Sequence, residues 1–227
     1  MNSLYPLKRL LALVPQGWQS ELKRIYYGRQ IRHGTFFTTE PEYDLLDSFI
    51  RPGNWVIDIG ANVGHYTKRF SELTGPSGRV VAFEPVPETF TLLAANLKQA
   101  KCSNVTLINA AASDKSESVG MDIPSFKSGL KNFYEAHIIA NQDARGLNVL
   151  ALGIDSLAIP HKISLVKIDA EGYELPVLAG MAGLLVRDHP LLIVETANEE
   201  TVGFIGTFGY QGERLQGSPN MLFRATV

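Results

Sequence analysis

The chain has 227 residues, 45% hydrophobic and 19% charged, with a formal net charge of −2. That is enough apolar material for one α/β domain with a short N-terminal appendage, and no run approaches the ~18 apolar residues of a membrane span. The near-neutral balance disfavours sequence-independent nucleic-acid binding, and a lone cysteine, Cys102, excludes an intrachain disulfide and suits a reducing, cytoplasmic setting.

Residues 3–14 carry Leu4, Leu7, Leu10, Leu11 and Val14 at helical spacing, with Lys8 and Arg9 between them. The charges interrupt the apolar core, and Val14-Pro-Gln-Gly is not a small-x-small cleavage site. A docking helix is therefore expected rather than a signal peptide, with membrane-surface contact as the lesser reading. Residues 18–39 scatter Trp18, Ile25, Tyr26, Tyr27, Ile31, Phe36 and Phe37 among polar residues, which reads as short strands or an irregular lid. Residues 1–39 are thus an appendage, and residues 40–227 the domain. Pro41 sits in the first turn of a helix with Leu45, Leu46, Phe49 and Ile50 inward, and Pro52-Gly53 turns into the first core strand.

The chain is organised around residues 56–67, Val-Ile-Asp-Ile-Gly-Ala-Asn-Val-Gly-His-Tyr-Thr. Val56 to Ile59 reads as a buried strand broken only by Asp58. Gly60 and Gly64 then make a tight turn into a helix, the first unit of a nucleotide-binding sheet. Glu84 ends the next strand, 20 residues after Gly64, where an acid can accept bonds from both ribose hydroxyls. The turn is Gly-x-x-x-Gly, without the middle glycine of a dinucleotide site or the lysine of a phosphate loop. A carboxylate at Asp58 would repel phosphate but suits a nucleoside bearing positive charge, such as S-adenosylmethionine.

A helix to about residue 101 follows, with Phe90, Leu92, Leu93 and Leu97 inward, then a third strand at Val105–Ile108. Asn109-Ala110-Ala-Ala112 at its end leaves room for a flat adenine ring. Regular alternation fails from 115 to 149, although Val119 to Ile123 could be a strand. The polar stretch 125–145 reads as a mobile, substrate-facing lid containing His137. The fourth strand, Ile163–Ile168, ends in Asp169-Ala-Glu171-Gly172-Tyr-Glu174, and the fifth, Pro190–Val194, ends in Glu195. Gln211–Gln216 and Met221–Thr226 read as a closing hairpin.

The expected fold is a doubly wound, mostly parallel seven-stranded sheet, whose ligands bind beyond the carboxyl ends of the strands. Four of the five strand ends carry acids: Asp58, Glu84, Asp169 with Glu171, and Glu195. Transfer of an activated methyl to an alcohol needs alignment and a base. Glu171 ranks first for that role, then Asp169 and Glu195, with His137 as the loop alternative. Asp169 and Glu195 could share a divalent metal, which nothing else in the sequence indicates.

The blocks Val56-Ile-Asp-Ile-Gly-Ala-Asn-Val-Gly64, Phe83-Glu-Pro85 with Pro87, Asn109-Ala-Ala, and Leu165-Val-Lys-Ile-Asp-Ala-Glu-Gly-Tyr-Glu174 with Val177-Leu178-x-Gly180 resemble the FkbM family of S-adenosylmethionine-dependent methyltransferases. The resemblance implies a class I methyltransferase fold and O-methylation of a hydroxyl on a sugar, glycan or polyketide-type metabolite. It implies Asp58, Gly60, Asn62 and Gly64 at the methionine end of the donor, Glu84 at the ribose, and Asp169 and Glu171 near the methyl. Asn109 and Ala110 complete the expected cofactor site. A small-molecule or glycan acceptor is expected as partner, with no nucleic acid and no membrane span, and a homodimer is open to it. A donor-binding protein without transfer activity, or a methyltransferase of another small molecule or a protein, is the alternative. An NAD-dependent oxidoreductase is disfavoured by the missing glycine and by Asp58.

Overall fold

The computed structural model describes residues 14–139, 146–196 and 198–226. Nearly all of the expected docking helix at 3–14, and residues 140–145 of the expected lid, lie outside the described residues. The strands, in chain order, are β1 (Trp55–Ile59), β2 (Arg79–Phe83), β3 (Val105–Ile108), β4 (Ala111–Ser113), β5 (Glu117–Asp122), β6 (His137–Ile139), β7 (Leu147–Gly153), β8 (Ile163–Ile168), β9 (Leu191–Glu195), β10 (Tyr210–Arg214) and β11 (Asn220–Ala225). The helices are α1 (Gln16–His33), α2 (Pro41–Phe49), α3 (His65–Thr74), α4 (Pro87–Gln99), α5 (Glu174–Ala179), α6 (Ala182–Asp188) and α7 (Glu199–Gly206).

The central sheet has seven strands in the order β10-β11-β9-β8-β1-β2-β3. Strands β3, β2, β1, β8 and β9 pair in parallel, and β11 inserts antiparallel between β9 and β10. The order reverses at β1, which leaves a crevice above its carboxyl end. Side chains alternate across the sheet. Ile57, Ile59, Val81, Phe83, Val166 and Ile168 pack on one face against Val177, Leu178 and Leu185 of α5 and α6. Val56, Val80, Ala82 and Leu165 pack on the other against Leu46, Phe70, Leu93 and Leu97 of α2, α3 and α4. This is the doubly wound arrangement that the alternation of apolar strands and amphipathic helices predicts.

Two expectations change. Residues 16–33 form one helix, α1, not strands or a lid. Its apolar residues run around the helix rather than along one stripe, so helical spacing was hidden. Tyr27 and Ile31 turn inward onto Phe36, Val63 and Leu92, while Trp18, Leu22, Ile25 and Tyr26 turn out. The stretch 115–149 is not irregular throughout: the strand expected at Val119 to Ile123 is present as β5, and residues 137–139 of the lid expected at 125–145 form β6. It contributes β5, β6 and β7 to a four-stranded sheet in the order β4-β7-β5-β6. Alternate residues Val119, Met121, Val149 and Ala151 bury against Val86 and Ala111, so pairing across distant segments supplies the order that the local pattern lacked.

Residues 174–188 form two helices, α5 and α6, divided at Gly180-Met181. A Cβ on Gly180 would lie 1.7 Å from the Ser113 carbonyl oxygen, so only glycine lets α5 approach β4 this closely. Asp155 then caps α6, its carboxylate accepting from the backbone N–H groups of Gly183 and Leu184 at 2.8 and 2.9 Å.

Candidate active site

The strand ends of β1, β2 and β8 open into a cavity. Its walls include Gly60, Asn62, Phe83, Glu84, Ala110, Met121, Phe133, Tyr134, His137, Asp169, Glu171 and Tyr173. A second cavity lies beside it, sharing Gly60, Asn62, Tyr134 and Asp169 as walls, and is lined also by Asp58, Glu40, His65, Tyr66 and Lys167.

The turn after β1 is built from backbone constraints. Gly60 has φ +75°, and a Cβ there would sit 1.9 Å from the Asp169 carbonyl oxygen. The β1 and β8 turns therefore touch only because residue 60 has no side chain. Asn62 also takes the left-handed conformation, and its N–H donates to Glu84 Oε2 at 2.9 Å. The other Glu84 oxygen accepts from the Val86 N–H at 2.9 Å. One carboxylate thus holds two turns together at the cavity wall. Burial pushes its pKa up to about 7 against these bonds. Gly64 lines neither cavity, and a Cβ on it would meet Leu93 of α4 at 2.7 Å, so its absence of a side chain serves packing rather than crevice access. The Asn109 side chain turns away, donating to the carbonyls of Glu84 and Pro85 at 2.8 and 3.1 Å.

Asp58 is 1% exposed. Thr67 Oγ1 donates to its Oδ2 at 2.5 Å, but Oδ1 has no hydrogen-bond partner among the described residues. Burial, opposed by the Lys167 ammonium and the Thr67 bond, pushes its pKa up to about 6. A buried, half-satisfied carboxylate lining a cavity is the partner a cationic ligand needs.

The β8 turn displays a second group. Glu174, 6% exposed, accepts from the N–H groups of Ala170 and Gly172 at 3.3 and 3.0 Å and folds the turn back. Glu171 is presented from it at φ +49°, a conformation a non-glycine residue holds only when its surroundings impose it. Burial, and then the neighbouring Asp169, pushes Glu171 up to about 7, with His137 pulling the other way. His137 stands in β6, not in an irregular loop, and its Nδ1 lies 3.0 Å from the Glu135 carbonyl oxygen. Lys167 Nζ lies 3.1 Å from Asp169 Oδ2 and 4.7 Å from the Tyr66 ring centroid. Burial works to lower this ammonium's pKa, but the carboxylates of Asp169 and Asp58 outweigh it and hold it above the usual lysine value.

A family model described as "Methyltransferase FkbM domain" matches residues 58–211, which span both cavities' strand ends. The chain belongs to the FkbM methyltransferase family. The FkbM methyltransferase of Methylobacillus flagellatus has a similar fold, with a TM-score of 0.56 at 17% identity over 97% of this chain and 58% of that one. A methyltransferase from Geobacter sulfurreducens gives 0.52 at 14% identity over 94% and 92%. Among curated proteins, the protein-L-isoaspartate O-methyltransferase of Methanothrix thermoacetophila is 38% identical over 65 residues, 29% of this chain and 30% of that protein. The chain spans about a third of the length of the curated relatives it matches.

In this FkbM domain the expected residues divide. Asp58, Gly60, Asn62, Glu84, Ala110, Asp169, Glu171 and His137 each line one or both of the two cavities. Gly64, Asn109 and Glu195 line neither. Glu195 is half-buried, and burial and Asp169 push it up to about 7. Among the described residues, no group of three or more His, Cys, Asp or Glu is placed to hold a metal ion. No individual role was expected of Lys167 or Tyr173, and Tyr134 was expected only as part of the substrate-facing stretch 125–145. The signal for Lys167 was present: a lone cation inside an apolar strand, two residues before an acid.

Proposed function

We propose that this protein is an S-adenosylmethionine-dependent O-methyltransferase whose acceptor is a hydroxyl of a sugar, glycan or polyketide-type metabolite. The observation that carries the reading is Asp58, buried in the wall of one cavity with one oxygen unpartnered among the described residues, next to a second cavity walled by Glu84. The residues fit the donor. Asp58 would take its ammonium, Glu84 its ribose hydroxyls, and the small side chains of Ala110 to Ala112 would flank its adenine. When bound, S-adenosylmethionine supplies a methyl group already activated on a sulfonium.

The protein then has to hold an acceptor and take its proton. Tyr134, Tyr173 and Phe133 offer the flat faces on which a sugar or polyketide ring can rest, with His137 as a polar contact. Glu171 is the base. Its raised pKa leaves it near the operating pH, where a general base is most effective. Asp169 is pinned by Lys167 and orients rather than abstracts. The Glu171, Asp169 and His137 grouping favours transfer over a binding protein without activity.

Thermal shift separates the donor classes. S-adenosylmethionine and S-adenosylhomocysteine at about 100 times their Kd should each add roughly 2.7 kcal/mol, and NAD nothing. Stabilisation by NAD and not by S-adenosylmethionine would end this reading.

A further inference from the structure

The net charge of −2 hides a segregation. Residues 1–33 hold six Lys and Arg against one acid, Glu21, for a charge of +5, so the rest of the chain carries −7. Within that basic stretch, α1 keeps one face out of the core. Trp18 is 68% exposed and Ile25 55%, with Leu22 and Tyr26 also exposed beside them. At positions 18, 22, 25 and 26 they fall on one side of the helix. Arg29 and Arg32 continue the same side toward its C-terminus, and both are exposed. The opposite side is already used by Tyr27 and Ile31. Among the described residues, the outward aromatic and aliphatic side chains therefore serve no core.

We propose that this face of α1 docks on the surface of an anionic lipid bilayer. Trp and Tyr settle at the headgroup boundary, Leu and Ile enter the acyl region, and arginines pair with lipid phosphates. A second copy whose α1 runs parallel is the poorer occupant, because that contact would set Arg29 and Arg32 of both copies near each other. A nucleic acid would use the cations and aromatics but has no use for Leu22 and Ile25. The acidic remainder of the chain is repelled by the same lipid surface, which turns α1 toward it. The helix also reaches the cavity wall. Tyr27 and Tyr134 share a hydroxyl hydrogen bond of 2.8 Å, and Lys23 lies 4.5 Å from the Phe133 ring centroid.

The test is flotation of the full chain with phosphatidylcholine vesicles, either pure or containing about a third phosphatidylglycerol. Binding to the anionic vesicles alone, weakened by salt, is expected. The double variants Trp18→Ser/Ile25→Ser and Arg29→Glu/Arg32→Glu should each lower partitioning at least about tenfold without changing the melting temperature. The proposal is overturned if the parent chain stays with the soluble fraction. It is equally overturned if both variants float as well as the parent, since residues 1–13 or another surface would then carry the binding. A dimer that either variant dissolves, or retention on single-stranded RNA in preference to vesicles, would assign the face to those partners instead.

Discussion

Replacing Glu84 by Gln tests the donor site at the residue where folding and binding meet. The carboxylate accepts two backbone N–H bonds of 2.9 Å, one on each oxygen. An amide keeps the shape but turns one acceptor into an NH₂ that faces a donor. One bond is lost and a buried N–H left unpaired, at a cost of roughly 1–3 kcal/mol. For a chain of this size that lowers the melting temperature by about 2–4 °C per kcal/mol. Binding loses charge-assisted bonds to the ribose hydroxyls, worth roughly 1.5–3 kcal/mol, or about 10- to 150-fold in Kd. Asn109→Ala separates the two effects. It removes the clamp on the carbonyls of Glu84 and Pro85 but leaves the carboxylate, so it should cost about 1 kcal/mol of stability with little change in affinity. Calorimetry with S-adenosylmethionine at about pH 8, where the acid is largely ionised, reads the affinity. If Glu84→Gln binds within twofold of the parent while melting earlier, the carboxylate is a structural clamp and the ribose assignment is wrong.

Glu171→Gln should bind the donor normally and lose about 10²- to 10⁴-fold in methyl transfer; wild-type turnover would pass the base role to His137 or Asp169. Asp58, Glu84, Glu171 and Glu195 all hold protons more tightly in the fold than when unfolded, with values of about 6, 7, 7 and 7. Their contribution to stability is full below the unfolded carboxylate range and lost as pH rises through 6 to 7. The ligand-free melting temperature should therefore fall between about pH 5 and pH 8, and a rise over that window would contradict the burial of these acids. Affinity for the cationic donor should run the opposite way and increase with pH. Gly180→Ala places a methyl 1.7 Å from the Ser113 carbonyl oxygen and should destabilise by roughly 1–3 kcal/mol or more, whereas Gly203→Ala, in open space on α7, should be neutral or slightly stabilising; equal denaturation midpoints would refute the close approach of α5 to β4.

Much of the central sheet was legible in the chain itself. β1, β2, β8 and β9 are short, largely apolar runs buried on both faces, bounded by turns, and such runs announce themselves without reference to a partner. Asp58, Glu84, Asp169 and Glu171 stood out for the same local reason, because each ends or interrupts such a run. The tertiary structure alone decided the rest. The pairings of β4 to β7 join residues up to about 40 apart, as Ala111 to Ala151. No local period encodes a contact of that range. His137 reaches the Glu171 cavity only because β6 pairs with β5. Helix α1 was hidden because apolar side chains on its outer face blur the inner stripe of Tyr27 and Ile31. Gly64 and Asn109 matched a binding pattern, yet their side-chain space is taken by Leu93 and by the carbonyls of Glu84 and Pro85. A sequence specifies which residues arrive at the strand ends. Which of them face the cavity, and with which oxygen free, depends on neighbours that only folding brings within hydrogen-bond distance.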